Sequence, residues 1–166
     1  AKRIWYDDSH EVTEMRMRKK PNLIPRMERC ARVWITAPEE HQGHWRELMP
    51  EAKALHVELG CGKGRFTVET AASMPDTLFI AVERVPDAMV IAMERVCAQE
   101  LHNVFFVDGD VAQLTSFFAL GEVDRIYINF CDPWPGNRHA KRRLTHPNFL
   151  QLYRQVLAEK GAIHFK

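Results

Sequence analysis

Short apolar runs rich in Val, Ile and Phe recur along the chain, at residues 55–59, 78–83, 103–108, 124–130 and 162–166. Each is too short for a helix of ordinary length and is apolar on both faces, as a fully buried strand is. Helical spacing separates several of them. In residues 86–101, Val90, Met93, Cys97 and Leu101 recur three and four apart, and in residues 147–158 Leu150, Tyr153 and Leu157 do the same. Such stripes are core-facing sides of amphipathic helices. Strand and helix in alternation predict an α/β fold, a mostly parallel sheet with helices on both faces. The sequence TAPEE places a helix start near Thr36, with Thr36 as N-cap, Pro38 in the first turn and Glu39 at capping-box spacing. Residues 1–34 keep no sustained period and read as a basic, flexible N-terminal arm, with 35–166 as a single domain. The last strand is cut at Lys166, so the C-terminal strands of such a fold are expected to be missing.

Composition changes this picture little. The 166 residues suffice for one domain, and the net charge is only +1. The distribution of charge is more informative. Arg16, Arg18, Lys19, Lys20, Arg26, Arg29 and Arg32 crowd the N-terminal part, and Arg138, Lys141, Arg142 and Arg143 crowd one later stretch. Two basic clusters on a near-neutral chain fit a polyanion met by one face; either cluster alone reads as solvated charge. No apolar run has the length of a membrane span, and no signal-peptide pattern opens the chain. Cys30, Cys61, Cys97 and Cys131 form no C-x-x-C pair. That pattern argues against a zinc site or a disulfide scaffold and fits reduced thiols in a cytoplasmic protein.

In an open α/β sheet, ligands bind at the carboxyl ends of the strands, and the unusual residues of this chain fall there. VELGCGKGRF follows the first strand and opens a helix. Gly60, Gly62 and Gly64 allow a tight bend and close backbone approach to a ligand. The spacing is G-x-G-x-G, one residue short of the dinucleotide fingerprint. Glu58 sets a negative charge beside the bend, which repels a pyrophosphate and suits a ligand with a cationic group. The expected cofactor is therefore S-adenosylmethionine rather than NAD. Glu83, 19 residues after Gly64, ends the second strand and is placed to accept both hydroxyls of an adenosine ribose. Asp110, with Asp108 as its competitor, is placed to meet the adenine amino group, and Val111 to pack on the ring. In a plain structural role, Asp110 caps the helix that follows.

The stretch after the fourth strand, NFCDPWPGNRHAKRRL, carries the remaining chemistry. Pro133 and Pro135 fix φ on both sides of Trp134, so the loop is stiff, and methyl transfer rewards such positioning. Trp134 either stacks on a base or buttresses the loop. Asp132 stands beside the acceptor, while Arg138, Lys141, Arg142 and Arg143 are suited to phosphates.

With these residues in view, the chain resembles the bacterial single-subunit tRNA (guanine-N7)-methyltransferases. The likeness rests on MRMRKKP at residues 15–21, HVELGCGKGRF at 56–66, IAVER at 80–84, the D-P-W-P loop with its R-H-x-K-R-R run, and FLQLY at 149–153. The resemblance implies a Rossmann-like class I S-adenosylmethionine-dependent methyltransferase acting at N7 of a guanine in the tRNA variable loop. Glu58, Glu83 and Asp110 would contact the cofactor, and Asp132 would match the family's active-site aspartate. Two departures are visible. Gly136 stands where the family usually has a lysine, and the family continues beyond the fifth strand with a T-x-x-E motif. Guanine N7 carries a lone pair and no proton, so in-line displacement needs no general base, and no metal is expected. An amino-group nucleic-acid methyltransferase and a non-catalytic tRNA-binding module stay open as alternatives. Monomer and homodimer are equally open.

Overall fold

The computed structural model describes residues 2–6, 12–16, 19–129 and 146–165, the first two stretches by backbone path alone. β1 (Lys2–Tyr6) and β2 (Val12–Arg16) pair antiparallel, with Lys2 opposite Arg16. α1 (Leu23–Arg29) and a 3-10 turn at Ala31–Val33 lead into β3 (Trp34–Ile35). The alternation then begins: β4 (Ala54–Leu59), α2 (Arg65–Ser73), β5 (Thr77–Glu83), α3 (Pro86–Ala98), β6 (Val104–Asp108) and α4 (Leu114–Phe117). β7 (Val123–Ile128), α5 (Pro147–Val156) and β8 (Leu157–Phe165) complete it.

The main sheet has the order β3-β6-β5-β4-β7-β8, and every neighbouring pair in it is parallel. The chain winds outward from β4 through β5 and β6, then returns to the other side of β4 with β7. The winding direction therefore reverses between β4 and β7, and the crevice of such a sheet opens at that switch point.

Side chains of the central strands pack into two apolar layers, one on each face of the sheet. Leu55, Val57 and Leu59 of β4 face the layer that holds Trp45, Phe117, Phe118, Tyr153 and Val156. Phe79, Ala81, Phe106 and Tyr127 face the opposite layer, which holds Met27, Val68, Met89 and Met93. Burial on both sides explains why the strands read as continuous apolar runs.

Two sequence expectations differ in detail. The helix near Thr36 is a 3-10 turn at Pro38–His41 with Ala37 at its N-cap and no side-chain cap. It cannot lengthen because Gly43 turns away at φ 78°, and the Gly43 and Trp45 N–H groups donate to Glu122 at 3.0 and 3.4 Å. Trp45 is thereby delivered to the core, its Nε1 donating to Phe117 O at 2.7 Å. The boundary expected at residue 34 does not coincide with a break in packing. Met27, Cys30 and Val33 lie in the core layer against α3, and β3 pairs with β6 through Trp34 and Ile35.

Candidate active site

The glycine bend joins β4 to α2 and is stitched to the neighbouring strand end. The Gly60 N–H donates to Val82 O at 2.8 Å, prolonging the β4–β5 ladder by one bond. Gly62 and Gly64 sit at φ 55° and 84°, in the left-handed region that favours glycine. A Cβ on Gly62 would meet nothing within 4 Å, so this face of the bend is open. A Cβ on Gly64 would lie 2.5 Å from the Ala92 Cβ and 2.7 Å from its Cα, so the third glycine lets α2 and α3 approach.

Two buried carboxylates hold the bend. Glu83 accepts from the Gly62 N–H at 3.0 Å through Oε2 and from the Val85 N–H at 3.1 Å through Oε1. Glu58 lies beneath the bend, 2% exposed. It takes both of its hydrogen bonds to Thr67 from the hydroxyl in the first turn of α2, the one at Oε2 measuring 3.0 Å. It also accepts from Asn129 Nδ2 at 3.1 Å. Glu58 is thus a tie between β4, α2 and the end of β7, set under the bend rather than in its opening. Asp108, opposite Glu83 in the β5–β6 register, has its carboxyl raised above the usual range by desolvation and then by the Glu83 charge.

A cleft of about 430 Å³ opens at the switch point, lined by residues 60–64, Arg65, Phe66, Glu69 and Asn129. Its size is within the range of roughly 300–1,000 Å³ for small-molecule sites. Gly60, Gly62 and Gly64 line the cleft, and Glu83 supports it from behind. Asp110 and Val111 stand beyond the end of β6, on the far side of β5, and do not line it. Asp110 closes a capping box: Oδ1 accepts from the Ala112 N–H at 3.0 Å, and its own N–H donates to Gln113 Oε1 at 3.0 Å. Val111 is half-buried against the core. Asp132, Trp134, Arg138, Lys141, Arg142 and Arg143 lie outside the described residues. Sequence reasoning gave no role to Asn129 or Thr67. Their only signal was position, one just past a strand and one in the turn after Gly64.

An open glycine face at the switch point and a cleft of this size fit S-adenosylmethionine. Fold and crevice together define a Rossmann-like class I S-adenosylmethionine-dependent methyltransferase. Residues 52–166 match the family model described as "Putative methyltransferase". The chain is 44% identical over 152 residues to the tRNA (guanine-N(7)-)-methyltransferase of Bacillus cytotoxicus, covering 92% of this chain and 70% of that one. It belongs to the bacterial tRNA (guanine-N7)-methyltransferase family. Among solved structures, an antibiotic-related methyltransferase superposes with a TM-score of 0.57 at 21% identity, over 72% of this chain and 60% of that one. The antibiotic-resistance methyltransferase Kmr does so with a TM-score of 0.55 at 17% identity, over 98% and 71%. At these identities the likeness establishes the fold alone. Among the described residues no helix is long and apolar enough to cross a membrane. No group of three or more His, Cys, Asp or Glu among them is placed to hold a metal ion.

Proposed function

We propose that this enzyme methylates N7 of a guanine in the variable loop of tRNA. One observation carries the reading. Asn129, which lies three residues before Asp132 of the D-P-W-P run, lines the cleft beside the glycine bend, and a Cβ on Gly60 would stand 3.9 Å from its carbonyl oxygen. The last described residue directly after β7 therefore stands at the rim of the cleft, and Asp132 follows it three positions on in the sequence. The family relative's own name supports the same substrate and atom.

S-adenosylmethionine, when bound, supplies an electrophilic methyl on a sulfonium centre. The residues of this chain do the rest. Gly60, Gly62 and Gly64 shape the seat, Glu58 and Glu83 fix it from below and behind, and a remaining lone pair of Glu83 accepts a ribose hydroxyl. Asp110 and Val111 bracket the adenine from the β6 side. Asp132 orients the guanine and stabilises the positive charge that grows on its ring as the N7 lone pair displaces the sulfur in line. No general base is needed, because N7 holds no proton to remove. Trp134 braces or stacks, and Arg138, Lys141, Arg142 and Arg143 hold phosphates.

The test is incubation with an unmodified tRNA transcript and labelled cofactor, followed by nucleoside mass spectrometry. 7-Methylguanosine is the expected product; a methyl on an exocyclic amine would replace this reading with the amino-group alternative. Asp132→Ala should lose about 100-fold or more in turnover, the scale seen when one transition-state stabiliser is removed. Its cofactor affinity by calorimetry should stay near the wild-type value. Full turnover in that variant removes Asp132 from the chemistry.

A further inference from the structure

The N-terminal segment is strapped to α3 by contacts whose order gives it a direction. The Lys20 main-chain N–H donates to Asp87 Oδ1 at 2.7 Å. Arg26 pairs with Glu94, its Nε reaching Oε2 at 3.1 Å. Cys30 and Cys97 pack in the same core layer, and Arg32 Nη1 donates to Leu101 O at 3.2 Å. As the segment advances from 20 to 32, its partners advance from 87 to 101, so it runs parallel to α3. α3 begins at the carboxyl end of β5. The Lys20 end of the strap therefore lies at the ligand edge of the sheet.

Asp87 is the fastening there. It is 2% exposed, in the first turn of α3, and four positions after Glu83. An acid in a first helical turn ordinarily faces solvent and acts through the helix dipole alone. A buried carboxylate that takes the main-chain N–H of a segment 67 residues away does more: it fixes where that segment leaves the fold. Lys19 is exposed and Lys20 half-buried at this exit.

We propose that Asp87 is a positioning residue for the nucleic-acid substrate: by gripping the Lys20 main chain it presents Lys19 and Lys20 at the α3 side of the cleft, where they meet tRNA phosphates. The proposal rests on the tRNA reading above. It gives the substrate a grip on the opposite flank of the cleft from the end of β7.

The experiment compares the full chain with Asp87→Ala, Asp87→Asn, a Lys19→Ala/Lys20→Ala double variant, and that double variant carrying Asp87→Ala. tRNA transcript binding is measured across a salt series and cofactor binding by calorimetry. Asp87→Ala should weaken tRNA binding about threefold to tenfold and lower the salt slope by about one for each phosphate that the lysines cease to neutralise. Its cofactor affinity should stay within about twofold, because Asp87 grips the strap and not the cofactor. Asp87→Asn keeps an acceptor oxygen and should recover most of the affinity. In the lysine double variant, Asp87→Ala should add almost nothing, since both changes remove one interaction. Wild-type affinity and slope in Asp87→Ala, or a weakening fully additive with the lysine changes, overturns the proposal. If Asp87→Ala impairs cofactor binding as well, Asp87→Asn and the lysine variant decide: wild-type salt slopes in the lysine variant overturn it. A wild-type chain that ignores tRNA sinks the tRNA reading and this inference with it, whereas tRNA binding unmoved by Asp87 sinks only the inference.

Discussion

Gly62 and Gly64 share a left-handed backbone but answer to different neighbours. Gly64 is bound by the Ala92 backbone 2.7 Å from where a Cβ would stand, whereas Gly62 faces open space. Gly64→Ala should therefore cost about 3 kcal/mol or more, combining backbone strain with overpacking between two helices. Gly62→Ala should cost only about 1–2 kcal/mol, from the backbone alone. Urea unfolding of both variants checks the order, and equal losses would mean that α2 and α3 do not meet at this glycine. Cofactor affinity should rank them the other way, because the added methyl at Gly62 projects from the open face of the bend. At this scale the sequence was only half legible. The glycine spacing and the acids at strand ends could be read from the chain, since strand ends follow from apolar runs. That Glu58 turns under the bend to Thr67 could not, because the side of a strand on which a residue falls depends on register against its neighbours.

Among the elements, β4 to β7 were the most readable part, because these strands lie in the interior of the sheet and are rich in buried apolar residues. α1 was not readable. It has seven residues, Pro25 interrupts its start, and its N-cap Asn22 makes no capping bond. So short a helix is held by packing of Met27 against α3 rather than by propensity. The β4 strand carries a buried imidazole with a clear titration consequence. His56 is 5% exposed, stands edge-on to Phe79, and shares a hydrogen bond with the Tyr127 hydroxyl at 3.2 Å. Burial, reinforced by the Arg125 charge, lowers it from 6.5 to about 4. The folded state thus refuses a proton that the unfolded chain accepts below pH 6.5. Stability is complete above that pH and is lost as the pH falls towards 4, by up to about 3 kcal/mol. Urea midpoints at pH 7 and pH 4.5 should therefore differ more for the wild type than for His56→Gln. Identical pH responses would show that His56 does not carry this acid limb.

For the whole molecule, the alternation of strand and helix sufficed to foresee a parallel sheet with helices on both faces and a crevice at the carboxyl ends. It could not foresee the strand order, nor that β3 adds to the far edge beside β6, because two residues give no period to read. Nor could it show that the segment from Leu23 to Val33 belongs to the core, since that depends on contacts roughly seventy positions away. The charge pattern does lead to a test at this scale. Arg142→Glu/Arg143→Glu should weaken tRNA binding and flatten its salt slope by about two, while leaving the calorimetric signature of cofactor binding unchanged. Salt-independent binding in the parent chain would make both basic clusters ordinary solvated surface.

The grip of Glu83 on Gly62 and Val85 bears on the thermodynamics of loading the enzyme. Those two N–H bonds are made within the chain itself, so the curvature of the bend is settled during folding. An incoming nucleoside meets a mould already set, and little chain freedom is left to surrender on its arrival. Association with the apo protein should accordingly be quick and single-phased in stopped flow, with no slow step of loop closure.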